Sequence, residues 1–126
     1  LVPMLEPEYD ITADDRAEGE KILLEAIEEG LDALPEGQQI MLKLSLPSED
    51  NFYKPLIDHP KVMRVVALSG GYSREEANAR LAQNRGVIAS FSRALTEGLS
   101  AQQSDAEFNA TIAKSIDDIY RASIAG

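Results

Sequence analysis

Cysteine and tryptophan are absent from the 126 residues. Without cysteine there is neither a disulfide framework nor a thiolate metal site, and the reducing cytoplasm becomes the default compartment. Long apolar runs are missing too. No stretch reaches the roughly 18 residues that a bilayer-crossing helix requires, and the opening LVPMLEPEYD has no basic segment leading into an apolar core. A membrane is therefore not an expected partner. Positive charge is scarce, with 12 Lys and Arg against 22 Asp and Glu and a formal net charge of -10. The basic residues are also scattered, which argues against nucleic acid, whose phosphates need clustered cations. A small phosphorylated ligand remains open, because it needs only one or two placed cations and some backbone N–H donors.

What is present is an ordinary globular balance, 44% hydrophobic and 27% charged, enough for about one domain. The acidic runs DDRAEGEKILLEAIEEGLD and SDAEFNATIAKSIDDIY read as solvated helix faces. The chain opens on Leu1 inside an apolar stretch, with no methionine and no turn before it. A single partial domain, 1–126, cut from something longer is the expectation.

In QQIMLKLSLPSED the residues Ile40, Leu42, Leu44 and Leu46 alternate with Met41, Lys43 and Ser45, the period-two pattern of a strand with two different faces. A lysine in such a strand is cheap beside water and costly under a covered sheet, where the ammonium needs a partner or loses its proton. The pattern predicts strands over 1–8, 39–46, 61–69 and 86–92. Helices are expected over 14–34, from Ser73 to about 83, over 93–99, and after the capping box Ser104–Glu107 to the end, with one or two helical turns inside SEDNFYKPLIDHP. In the last helix Phe108, Ile112, Ile116 and Ile119 share one face.

The order βαβαβαβαα implies parallel strands with right-handed crossovers. Four βα units are half of a (β/α)8 TIM barrel, which runs to roughly 250 residues. A doubly wound sheet is the competing fold. The half barrel is favoured because polar residues collect where each strand ends, at Glu6 and Glu8, Lys43 to Ser48, Ser69 to Ser73 and Ser90 to Arg93. Barrel enzymes place their sites at that edge, often with a phosphate site after the last two strands.

LEPE, LKLSLPSEDNFYKPLIDHP, VVALSGGYSREEANARLAQN and IASFSRAL, in that order, resemble the carboxyl-terminal half of the bacterial class I fructose-bisphosphate aldolases. The resemblance covers essentially the whole chain and implies strands five to eight of the barrel. It makes Lys43 the amine that forms a Schiff base with a phosphorylated sugar, its pKa lowered by burial and a nearby cation. Glu6 becomes the acid/base that serves dehydration of the carbinolamine, and Glu8 a support for the lysine. Ser69, Gly70 and Gly71 resemble the phosphate loop, Arg93 the phosphate-pairing arginine, with Ser90 and Ser92 beside it. No cofactor and no metal are implied, and the lone His59 fits a loop better than the histidine cluster of zinc-dependent aldolases.

The resemblance implies reversible cleavage of fructose 1,6-bisphosphate to dihydroxyacetone phosphate and glyceraldehyde 3-phosphate, in glycolysis or its reverse. Another Schiff-base barrel of the transaldolase or deoxyribose-phosphate aldolase kind is a rival, as is a non-catalytic fragment. Half a barrel leaves open sheet edges and an uncovered inner face, so a homodimer with little or no native activity is expected.

Overall fold

The computed structural model describes residues 1–125. Nine elements follow one another: β1 (Met4–Leu5), α1 (Arg16–Ala33), β2 (Ile40–Ser45), α2 (Lys54–Ile57), β3 (Val62–Leu68), α3 (Arg74–Ala82), β4 (Val87–Ala89), α4 (Arg93–Thr96) and α5 (Asp105–Ile124). The strands form one sheet in the order β1-β2-β3-β4, and every pairing is parallel.

Sequential order has a consequence for layering. Right-handed crossovers that always step in the same direction put every helix on the same side of the sheet. The core agrees. Leu42, Leu44, Val65, Ala67 and Val87 from the strands share one cluster with Leu31, Leu56, Leu81, Ala94 and Ala122 from the five helices. Leu42, Leu44 and Leu46 are essentially inaccessible, and each such side chain contributes roughly 1.5–3 kcal/mol on burial. The doubly wound alternative, with helices on both faces, does not fit this single cluster.

The opposite face carries the other half of each alternation. Register aligns Met4 with Met41 and Arg64, and Lys43 with Val66 and Ile88. An irregularity between Ile40 and Met41 sets Val62 and then Arg64 against them, so that Met63 is the extra residue of a bulge. The bulge shifts the phase of β3, turning Val65 and Ala67 toward the helices and leaving Arg64 exposed on the lysine face.

β4 is shorter than the expected 86–92 and α4 than the expected 93–99, and two further elements depart from the expected pattern. Instead of a strand over 1–8, β1 pairs only at Met4 and Leu5. It is an edge strand, and Pro7 has no N–H to give a ladder. Just beyond, the Ser45 hydroxyl takes over the pairing, accepting from the Tyr9 N–H at 3.1 Å and donating to the Tyr9 carbonyl at 2.9 Å. In α5 the capping box is present as expected, with Ser104 and Glu107 exchanging hydrogen bonds. The expected apolar face is only partly used: Ile119 packs on the core while Phe108 and Ile116 are exposed, and Ser115 and Ala122 are the buried residues. Small residues let α5 lie close against α3 and β4; Ile116 is left at the open edge of β4, and Phe108 stands beside the 99–105 segment.

Lys61 is not the free surface cation its position suggests. Its ammonium donates to the carbonyls of Leu31 at 2.6 Å and Leu34 at 2.7 Å. Those carbonyls belong to the last turn of α1, which ends without a basic residue of its own, and a cation there satisfies orphan acceptors.

Candidate active site

Lys43 projects from the middle of β2 and meets the chain leaving β1. Its Nζ donates to Glu6 Oε2 at 3.0 Å. The register of β1 on β2, continued one step past Leu5, sets Glu6 opposite Lys43, so strand pairing alone brings together residues 37 positions apart. The lysine side chain keeps 24% of its exposure and the carboxylate 50%. The expected cation beside the lysine is not among its contacts; its ionic partner is Glu6. Glu8 is exposed and makes no ion pair or side-chain hydrogen bond among the described residues.

The loop after β3 is built around two successive glycines with positive φ, 64° at Gly70 and 104° at Gly71. Side chains rarely adopt such angles, and glycine does so without steric cost. Ser69 is buried, and its carbonyl accepts from the Tyr72 N–H at 3.0 Å, closing the turn. Ser73 then caps α3 by accepting from the Glu76 N–H.

After β4, Ser90 extends the ladder by donating its N–H to the Ala67 carbonyl at 2.7 Å. Ser92 stands at the start of α4 with its side chain uncommitted, and Arg93 is the first residue of that helix. A groove of about 310 Å³ brings this segment and the glycine loop together, lined by Gly71, Tyr72, Arg93, Ala94, Thr96 and Glu97. Ser69, Gly70, Ser90 and Ser92 do not line it. The Glu97 carboxylate in the groove accepts from the Arg74 N–H at 2.9 Å. A larger groove, about 450 Å³ and almost wholly apolar, lies at the β4 edge and contains none of these polar residues.

One cluster escaped the sequence reading. Arg16, in the first turn of α1, donates from Nε to Glu20 at 2.8 Å and from Nη1 to the Tyr72 hydroxyl at 2.5 Å. Glu20 is 1% exposed and accepts from the Ser48 N–H at 2.9 Å. Burial alone would weaken the Arg16 charge; the hydrogen bonds to Tyr72 and Glu20 outweigh it, and its pKa is raised. Burial likewise pushes the neighbouring Tyr53 phenol far up, with the Glu20 charge adding to the effect. The available signal was an arginine at a helix start, where a cation opposes the macrodipole and so needs a reason outside the helix.

The geometry defines a class: a parallel α/β sheet with a lysine in the middle of β2 paired to the carboxylate just after β1, a glycine turn after β3 and an arginine at the helix after β4. Over 124 residues, 98% of the chain, it is 60% identical to the fructose-bisphosphate aldolase class 1 of Synechocystis sp.. The enzymes of the same name from Porphyromonas gingivalis and Clostridium acetobutylicum are 59% and 54% identical over the same length. No family model matches the chain. The chain belongs by sequence to the class 1 fructose-bisphosphate aldolases, and it spans 41–42% of the length of these relatives.

Proposed function

We propose that the chain is the carboxyl-terminal half of an aldolase barrel, strands five to eight, and that the complete protein cleaves fructose 1,6-bisphosphate reversibly through a Schiff base on Lys43. The observation that carries this reading is the Lys43–Glu6 contact at 3.0 Å, at strand ends of a chain so similar to named aldolases.

The chemistry follows from the residues. The neutral amine of Lys43 adds to the ketone carbon, and the carbinolamine loses water to give an iminium. Glu6, within hydrogen-bond reach of Nζ, is suited to pass the protons that these steps require. As the hydroxyl on the departing carbon gives its proton to a base, the iminium accepts the electron pair of the carbon–carbon bond two atoms away and the aldehyde leaves; the resulting enamine is reprotonated on carbon before hydrolysis frees the lysine. Glu8, without a side-chain partner among the described residues, is left available to the complete site. Gly70 and Gly71 present backbone N–H groups to a phosphate, Ser69, Ser90 and Ser92 add donors around it, and Arg93 supplies the charge.

The inner face and both edge strands stay open in the half barrel, so self-association through them is the proposed state, in the cytoplasm, with little activity. The test is fructose 1,6-bisphosphate cleavage by this chain alone and after mixing with the amino-terminal remainder of the Synechocystis enzyme. Weak or no turnover alone and a gain on mixing that Lys43→Met abolishes supports the reading. Turnover that survives Lys43→Met sinks it.

A further inference from the structure

Outside the lysine pair, the most heavily engaged polar group at the strand-end edge is the Arg16 guanidinium. It reaches three successive loops. Nη1 approaches the Ile11 carbonyl at 3.4 Å in the loop after β1, and Nη2 donates to the Leu46 carbonyl just after β2. The Tyr72 hydroxyl after β3 completes the set, at 2.5 Å from Nη1. Nε is held by Glu20, which also accepts from the N–H and hydroxyl of Ser48.

Tyr72 is fixed from a second side, because the Arg80 guanidinium lies 4.5 Å from its ring centroid. The residue immediately follows Gly70 and Gly71, whose backbone offers no stiffness of its own. Ile11 covers those glycines: a methyl group added at Gly70 would come within 3.2 Å of the Ile11 side chain. The loop that turns on two glycines is thus tied at its far end by Arg16 and covered by the segment whose carbonyl Arg16 approaches.

Arginine suits this post because its planar fork offers five donors in fixed directions. Lysine would direct three donors from one point and could not hold carbonyls from two loops together with a phenol. Glu20 neutralises the guanidinium, so the cluster adds no net charge to the groove. Its contribution to an anion is therefore geometric.

We propose that Arg16, held by Glu20, is a positioning residue that locks the Gly70–Tyr72 loop to the end of the Lys43 strand, and so sets how well the site takes a phosphorylated over an unphosphorylated ketone. The preference for phosphate rests on the aldolase reading; the locking of the loop does not.

The test uses the full chain with two variants, Tyr72→Phe and the double variant Arg16→Met/Glu20→Gln. The first removes one hydroxyl and keeps the ring on Arg80. The second removes the guanidinium, keeps an acceptor for Ser48, leaves no unpaired buried charge, and lies outside the groove lining. Amide hydrogen exchange is measured at Tyr72, whose N–H donates to the Ser69 carbonyl, with Leu44 and Val65 as core references. Borohydride trapping on Lys43 is then compared between dihydroxyacetone phosphate and dihydroxyacetone.

Tyr72→Phe should raise loop exchange about tenfold, the effect of losing one buried hydrogen bond, and the double variant, which loses several, at least as much, with the core amides unchanged. Both should also lower the phosphate-to-unphosphorylated trapping ratio at least threefold. Unchanged loop exchange in both variants overturns the proposal. A shifted exchange with an unshifted ratio overturns its substrate-selecting part. If the unaltered chain traps neither ketone, the Schiff-base reading fails in this chain, while faster loop exchange still upholds the locking role.

Discussion

Glu6 and Lys43 meet at 3.0 Å across 37 positions of sequence because β1 and β2 are parallel neighbours and the pairing register carries one onto the other. If that contact moves protons, replacing the carboxylate changes a rate and not the fold. Glu6→Gln keeps a hydrogen-bonding side chain and should slow adduct formation on Lys43 on the order of 100-fold. Thermal unfolding should change little, since the carboxylate is half exposed and the pair is only partly buried. Equal trapping rates would remove Glu6 from the chemistry.

The two faces of β2 make opposite demands. Leu44→Ala leaves a cavity among helices and sheet and should cost about 2–5 kcal/mol by urea unfolding. Met41→Ala, half-buried on the lysine face, should cost less than half as much. Equal costs would contradict the one-sided core.

Gly71, with φ 104°, sits where side chains are strained. Gly71→Ala should destabilise by about 1–3 kcal/mol, seen in chemical unfolding, with the Tyr72 N–H no longer protected. A neutral substitution would show that the turn relaxes freely.

The Ser104 cap gives a pH signature. Bonds from the Ser104 N–H and hydroxyl hold the Glu107 carboxyl below its ordinary value. A depressed carboxyl stabilises the fold above its unfolded pKa and loses that contribution as pH falls through the folded one. Ser104→Ala should therefore cost about 1 kcal/mol near neutrality and less at pH 3. A cost that grows on acidification would reverse the sign.

If the chain self-associates as proposed through the open β4 edge, Ile116 and Tyr120 of α5, which line the groove there with Ile88 and Phe91, enter the contact. Sedimentation equilibrium should report a dimer, and Ile116→Asp should shift it toward monomer without loss of helicity. A monodisperse monomer before mutation would contradict the association.

The alternation of Leu42 and Leu44 with Lys43 placed β2 correctly because a strand between two partners is governed by its period. β1 was harder to bound, since pairing stops where Pro7 lacks a donor and the Ser45 side chain substitutes for backbone. The facing of α5 misled for another reason. The helix buries its small residues against neighbours, and Ile116, Tyr120 and Ile124 lie at an edge the described residues leave uncovered. Arg16, Glu20, Ser48 and Tyr72 were not legible as a unit, because three loops far apart in sequence converge on one guanidinium only after the sheet has formed.

Borohydride trapping with dihydroxyacetone phosphate, followed by peptide mass spectrometry, tests the Schiff base at its atom. The account predicts one adduct, on Lys43, lost in Lys43→Met and retained in Lys61→Met. An adduct on another lysine, or none when the folded chain is mixed with the amino-terminal remainder of the Synechocystis enzyme, would contradict it.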